Sequence, residues 1–293
     1  MSSFEETMHD VEIETAVEQN YKGQDQPFFG ETVSGKRYFG IWDGHGSNSV
    51  IRELRKIMSN GKLAEIMDTL SPVQSVTDYL LENHVCSTRE SSGATMNFGI
   101  IEKNLLTCTN CGDSRMFVFR NGELVFMSED HNSKNEKERI RLGENAKYVP
   151  SYTIRMVSET ELIGIPSEYI LYKNENQLAV SQAIGHFNVT GIAPDAVPIH
   201  FDVYDEIVAL SVSDGVTDML ITDKHDNIID SEIQMLYRMS AEELKNKIQA
   251  RWLQPWDMTS LKGEKQLGVS YEKYDCDDVG ITKVYIRPKT FKV

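Results

Sequence analysis

Basic residues are in short supply. Thirty Lys and Arg stand against 45 Asp and Glu, a formal net charge of −15, and the cations nowhere gather into a run. Nucleic-acid binding draws its affinity from cationic side chains that neutralise phosphates, so that class of partner is excluded. An anionic membrane surface repels the chain for the same reason. No stretch of about 18 apolar residues is present to span a bilayer. The segment Met1 to Asp10 is acidic and lacks the apolar run of a secretory signal. Cysteine is scarce as well. Cys86, Cys108, Cys111 and Cys276 are too few for a disulfide framework, so a reducing cytoplasmic or nuclear compartment is expected. Repeats and Pro- or Gly-rich linkers are missing, while 40% hydrophobic residues suffice for a packed core. The expectation is a monomer with one domain over residues 20–293, preceded by a partly flexible segment 1–19.

What is present alternates in groups. Residues 37–42 (RYFGIW) read as a strand ending at Asp43-Gly44-His45-Gly46, and Ser47 is a plausible N-cap for a helix carrying Val50, Ile51, Leu54, Ile57 and Met58 on one face. A second helix is predicted from Pro72 to about Leu81. Residues 95–101 and 105–110 then read as strands. Residues 116–119 and 124–127 flank Asn121-Gly122, whose tolerance of positive φ marks a tight hairpin. Residues 206–212 form an apolar strand running into Ser213-Asp214-Gly215. Ser240 and Glu243 make a capping box for a helix with Leu244, Ile248 and Trp252 on one face. Residues 279–286 form a final strand directly after Asp277-Asp278. Grouped strands with hairpins and grouped helices indicate an α+β fold with antiparallel sheets covered by helices. Residues 149–176 have weak periodicity and read as a surface flap or irregular insert.

Position makes the acids informative. Asp43 and Asp214 follow strand ends and are each followed by Gly. Asp277 and Asp278 precede the last strand. An Asp-Gly pair at a strand end is also an ordinary turn signal, and spacing alone does not bring these residues together. Carboxylates that do converge repel one another unless a cation lies between them. All-oxygen donors suit Mg²⁺, Mn²⁺ or Ca²⁺ rather than Zn²⁺, and two such ions roughly 3.5–4 Å apart are a recurrent solution for phosphoester hydrolysis.

The motifs, taken in order, resemble those of the PPM family of metal-dependent type 2C protein Ser/Thr phosphatases. They comprise Gln24-Asp25, Tyr38-Phe-Gly-Ile-Trp-Asp-Gly-His-Gly46, Ser92-Gly-Ala-Thr95 and Asn110-Cys-Gly-Asp-Ser-Arg115. Then come Glu129-Asp-His131 with the following 135–140 segment, Leu178-Ala-Val-Ser-Gln-Ala-Ile-Gly185, Ser213-Asp-Gly-Val-Thr-Asp218 and Asp277-Asp278-Val279. The resemblance covers about residues 20–286. It implies a four-layer α-β-β-α sandwich with two central antiparallel sheets, and a phosphatase acting on phosphoserine and phosphothreonine in proteins. Two Mg²⁺ or Mn²⁺ ions are implied, with Asp43 and the Gly44 carbonyl, Asp214 and Asp277 as ligands. Asp130 and Asp218, with Asp214, match a third and weaker metal position. Asp25 would orient a metal-held water that attacks phosphorus, and His45 would be the general acid, a role suited to a group titrating near neutrality.

Several positions depart from the pattern. Asn20 stands where many members carry a phosphate-binding Arg, which leaves Lys22 as the candidate phosphate-binding side chain. Gln24 replaces Glu, His186 replaces Asp, Asp278 replaces Asn and Gln182 replaces Arg. The alternative reading is therefore a catalytically weak or inactive pseudophosphatase that serves as a regulatory binding module. Outside these motifs, Cys108 and Cys111 have CxxC spacing on a predicted strand, where core packing is the simpler account. His131 reads as a structural hydrogen-bonder, Trp252 and Trp256 as packing residues, and 134–141 as a solvated helix face.

Overall fold

Side chains that alternate across a strand decide the architecture. A computed structural model describes residues 9–20, 22–85 and 91–289. On the strand Arg115–Arg120, Met116 and Val118 face one way and Phe117 and Phe119 the other. On Ile207–Val212, Ile207 and Ala209 oppose Val208, Leu210 and Val212 in the same manner. Both faces of these strands are buried, so they must be covered twice.

Two five-stranded antiparallel sheets result. The first runs in the order His9–Glu18, Val279–Pro288, Ile207–Val212, Arg115–Arg120, Glu123–Met127. The second runs Asp195–His200, Leu105–Cys111, Met96–Glu102, Arg37–Trp42, Gln26–Glu31. Phe39, Leu106, Met116, Val118, Ala209 and Val284 fill the space between them. The helices Ser49–Ser59, Lys62–Met67 and Pro72–Glu82 cover the outer face of the second sheet through Leu54, Ile57, Val76 and Leu80. Asp230–Arg238 and Ala241–Leu253 cover the outer face of the first through Leu236, Leu244, Ile248 and Trp252. Each large apolar side chain removed from water in this way contributes about 1.5–3 kcal/mol. The order of layers is helix, sheet, sheet, helix, as the resemblance implied. Among the described residues no helix is long and apolar enough to cross a membrane.

Several local expectations hold. Asn121 and Gly122 have φ of 52° and 85° and close a two-residue hairpin between Arg120 and Glu123. The Ser240–Glu243 capping box is formed. Cys108 and Cys111 are three apart on one strand, so they point to opposite faces. One packs between the sheets and the other under the helices, and both are free thiols. Cys86 lies outside the described residues.

Other expectations are corrected. The segment taken as partly flexible contains the strand His9–Glu18, zipped in continuous register to Val279–Pro288. Val11 and Ile13 pack against the core between the sheets from one face of this edge strand, while Asp10, Glu12 and Glu14 occupy the other. The 149–176 stretch, read as a surface flap or irregular insert, is not irregular: it is a long hairpin of Ala146–Met156 and Glu161–Tyr172, extended by Trp256–Thr259 and Lys265–Val269. Most of its residues are half-buried, which removes the apolar contrast that a sequence pattern needs. The first helix begins at Ser49 after Asn48 rather than after a Ser47 cap. The short helix Lys62–Met67 was not anticipated. The 134–141 helix face is not wholly solvated, because Glu138 is buried beneath Arg141, Ser181 and Gln182.

Candidate metal and phosphoester site

The acids singled out by position come to the same end of the sandwich. Asp43 follows the interior strand Arg37–Trp42 of one sheet, which lies between Met96–Glu102 and the edge strand. Asp214 follows the central strand Ile207–Val212 of the other, and Asp277 leads into the adjacent Val279–Pro288. The Asp214 amide lies 3.4 Å from Asp43 Oδ2, so the two strand ends meet. Asp25 enters just before Gln26–Glu31. Asp25, Asp43 and Asp214 are all raised well above the usual carboxylate range, by burial first and then by one another and Asp277. A hydrogen bond from Ser213 offsets part of the rise at Asp25. Asp218 is pushed up to about 7 by burial, then by Asp277 and Asp130.

Glycines make the convergence possible. A Cβ at Gly215 would overlap the Asp278 carbonyl, and one at Gly44 would overlap Ile51 and stand 2.9 Å from Gln24 Cβ. One at Gly280 would overlap Ile41 and stand 2.7 Å from Asp25 Oδ2. The backbone that carries Asp25 is held by the far end of the chain. Asp278 accepts from the Asn20 and Gln24 amides at 2.7 and 2.6 Å, and the Asn20 amide side chain donates to the Asp277 carbonyl. Asn20 and Asp278, which depart from the resemblance, thus form a bracket that ties the 20–25 loop to the 277–278 turn. Gln182 is likewise structural, bonded to Glu138 and to both the amide and carbonyl of Ala193. His131 accepts from the Gly112 amide and faces Asp195, as a structural hydrogen-bonder does.

Not every expected residue stands in the same way. Both oxygens of Asp130 are taken by Arg115, at 2.9 and 2.6 Å, so Asp130 sits beside the cluster as half of an ion pair. Asp113 was missed by sequence reasoning, although it lies within Asn110-Cys-Gly-Asp-Ser-Arg115. It is raised by burial and then by Asp214, Asp130 and Asp218. It follows Gly112, with φ of 127°, just after a strand end, but it lacks the following glycine that marked Asp43 and Asp214. Lys22 Nζ is 3.8 Å from Asp277 Oδ1, and Asp277 is the main cause of its raised pKa. His45 differs from expectation. Burial first, then His186 and Lys22, lower it to about 3, so it is neutral at physiological pH. Its Nδ1 is 2.7 Å from His186 Nε2, and its Nε2 is buried without a partner.

Among the described residues, as placed, no three His, Cys, Asp or Glu side chains form a closed coordination group. The donor chemistry nonetheless fits a hard divalent cation. The acids are all-oxygen donors, their mutual repulsion is only partly offset by Lys22 and Arg115, and Asp25 Oδ2 and Gln24 Oε1 are buried with no hydrogen-bond partner. A cleft of about 250 Å³ adjoins the cluster. It is lined by Asp113, Asp214 and Asp218 and, from the long hairpin, by Thr153, Arg155 and Glu168.

Comparison with known proteins identifies the family and the fold. The family model for protein phosphatase 2C matches residues 1–253, and the chain belongs to that family. A probable protein phosphatase 2C of Paramecium tetraurelia is 26% identical over 201 residues, covering 62% of this chain and 64% of its own. A rice (Oryza sativa subsp. japonica) relative is 30% identical over 115 residues, 36% of this chain and 22% of that protein. The chain therefore matches between about a fifth and two thirds of the length of these relatives. Among solved structures, the S. agalactiae serine/threonine phosphatase has the same fold. Its TM-score is 0.56 at 17% identity, over 94% of this chain and 99% of that one.

Proposed function

We propose that the chain is a Mg²⁺- or Mn²⁺-dependent phosphatase that hydrolyses phosphoserine and phosphothreonine in proteins. The observation that carries this reading is the set of mutually repelling carboxylates Asp25 and Asp43, both buried, and half-buried Asp214, gathered where strands of both sheets end. Asp43, the Gly44 carbonyl, Asp214 and Asp277 would hold two cations, with Asp218 and Asp113 beside a third position. Bound cations supply acidification of water and neutralisation of the phosphate charge. Lys22 adds a point charge for a phosphate oxygen, without the bidentate geometry of Arg. Asp25 orients the entering water through its free Oδ2. His45 meets the departing oxygen through Nε2. As the new P–O bond forms and the ester P–O bond breaks, the proton lost by the water completes the alcohol.

The test is hydrolysis of a phosphoserine peptide and of p-nitrophenyl phosphate with Mn²⁺, with EDTA, and with Asp43→Asn and Asp214→Asn. Turnover that needs Mn²⁺ and falls at least about a hundredfold in both variants supports the proposal. Activity that survives EDTA or both substitutions refutes it. A second reading, a non-catalytic binding module, is favoured by the engagement of Asn20 in the Asp277-Asp278 bracket, which leaves no Arg at that place. Calorimetry separates the two. Mn²⁺ binding without turnover supports the binding module.

A further inference from the structure

His186 plays no part in the roles above, yet the fold goes to unusual lengths to place it. It is 1% exposed. Its ring lies parallel to that of His45 within 9°, with ring centroids 4.6 Å apart, and its Nε2 stands 2.7 Å from His45 Nδ1, at hydrogen-bond distance. Its own Nδ1 is 3.2 Å from Ser91 Oγ. The three side chains form a line from Ser91 through His186 to His45.

The backbone that builds this line is strained. Gly185, His186, Phe187 and Asn188 have φ of 84°, 44°, 56° and 55°. Three successive non-glycine residues in the left-handed region persist only where the surroundings over-determine them. The surroundings here are a small three-stranded sheet of Gly44–Gly46, Ser92–Ala94 and Ile184–Gly185. Gly93 is the register partner of both His45 and Gly185, so this sheet sets the two imidazoles side by side. A Cβ at Gly93 would overlap the His186 ring. His45 Nδ1 is thus consumed, and Nε2 is its only remaining nitrogen, buried and without a partner.

We propose that His186 is a positioning residue that fixes the His45 ring so that Nε2 faces the departing serine or threonine oxygen. This rests on the phosphatase reading above. Orientation of a group at the leaving oxygen matters when that oxygen departs as an alkoxide. It matters little for p-nitrophenolate, which leaves without help.

The experiment compares His186→Ala and His186→Gln with the parent on both substrates, with Mn²⁺. His186→Ala is expected to lower kcat on the phosphoserine peptide by about 10- to 100-fold. KM and the rate on p-nitrophenyl phosphate should stay within about threefold, the scatter of a bystander change in the standing rate scale. His186→Gln, whose Nε2 reaches the same place, is expected to restore most of the loss. Equal losses on both substrates, no loss on the peptide, or no advantage of Gln over Ala overturns the proposal. The ¹⁵N shift of His45 Nδ1 in the metal-free protein is read in parallel. It is expected to move in His186→Ala, and an unmoved resonance overturns the contact. A parent inactive on p-nitrophenyl phosphate refutes the phosphatase reading, and the Nδ1 resonance then decides the His45–His186 contact by itself.

Discussion

At the scale of the residue, the site sets function against stability. Buried Asp43 and half-buried Asp214 lie beside each other and beside Asp25, so each is costly to ionise while no cation is bound. Asp214→Asn is therefore expected to raise the melting temperature in EDTA while abolishing Mn²⁺-dependent turnover. A thermal melt beside a rate assay checks both, and a fall in the melting temperature contradicts the account. Gly280→Ala works in the other direction. Its Cβ would press on Ile41 and on Asp25, and the overpacking is expected to cost about 1–3 kcal/mol in urea unfolding together with activity. Asp25, Asp43, Asp214, Asp277 and Lys22 were legible in the sequence because each sits at a strand end or in a motif. Gly280, Asp113 and the role of Asp278 were not. What they do depends on which distant backbone they touch, and spacing along the chain does not encode that.

At the scale of the element, one buried ion pair joins the helix layer to the long hairpin. Arg251 on Ala241–Leu253 donates to both oxygens of Glu232 on Asp230–Arg238, at 2.6 and 3.0 Å. It also reaches Glu159, in the turn of the Ala146–Tyr172 hairpin, at 2.7 Å. Glu232 is 3% exposed, so Arg251→Met leaves a buried charge unpaired and is expected to cost about 3–5 kcal/mol. The Glu159 side chain is 53% exposed, and Glu159→Gln is expected to cost at most about 1 kcal/mol. Denaturant melts of the two variants test the contrast, and equal costs contradict it. The elements legible in the sequence were those with one clean period: the 37–42 strand, the Asn121-Gly122 hairpin and the capped 241–253 helix. The long hairpin escaped because residues such as Tyr148, Tyr152, Ile163 and Ile165 are half-buried or exposed, so neither face shows a clear stripe. The edge strand His9–Glu18 escaped because its partner lies some 270 residues away.

At the scale of the whole molecule, the charge of −15 is uneven in effect. Most of the acids serve solubility on the surface, while those at the sandwich end set a pH dependence. Asp218 has a folded pKa of about 7, above that of an unfolded aspartate. The folded state thus holds the extra proton between about pH 4 and pH 7, and its stability from this group falls as pH rises through that window. In EDTA, the melting temperature of Asp218→Asn is expected to gain on that of the parent from pH 5 to pH 7.5, and added Mn²⁺ is expected to narrow the gap. A constant difference across that range contradicts the assignment. The surplus of acid is also expected to disfavour strongly acidic phosphopeptides, and equal turnover of acidic and basic peptides at low salt contradicts this. The Asp278 bracket carries a last consequence for biosynthesis and quality control. Asp25 is anchored by amides that bond to a residue more than 250 positions later, so a fragment ending before Asp277 lacks both a proposed ligand and the clamp on its partner loop. Such a fragment is expected to be inert toward phosphoesters whatever its degree of compaction.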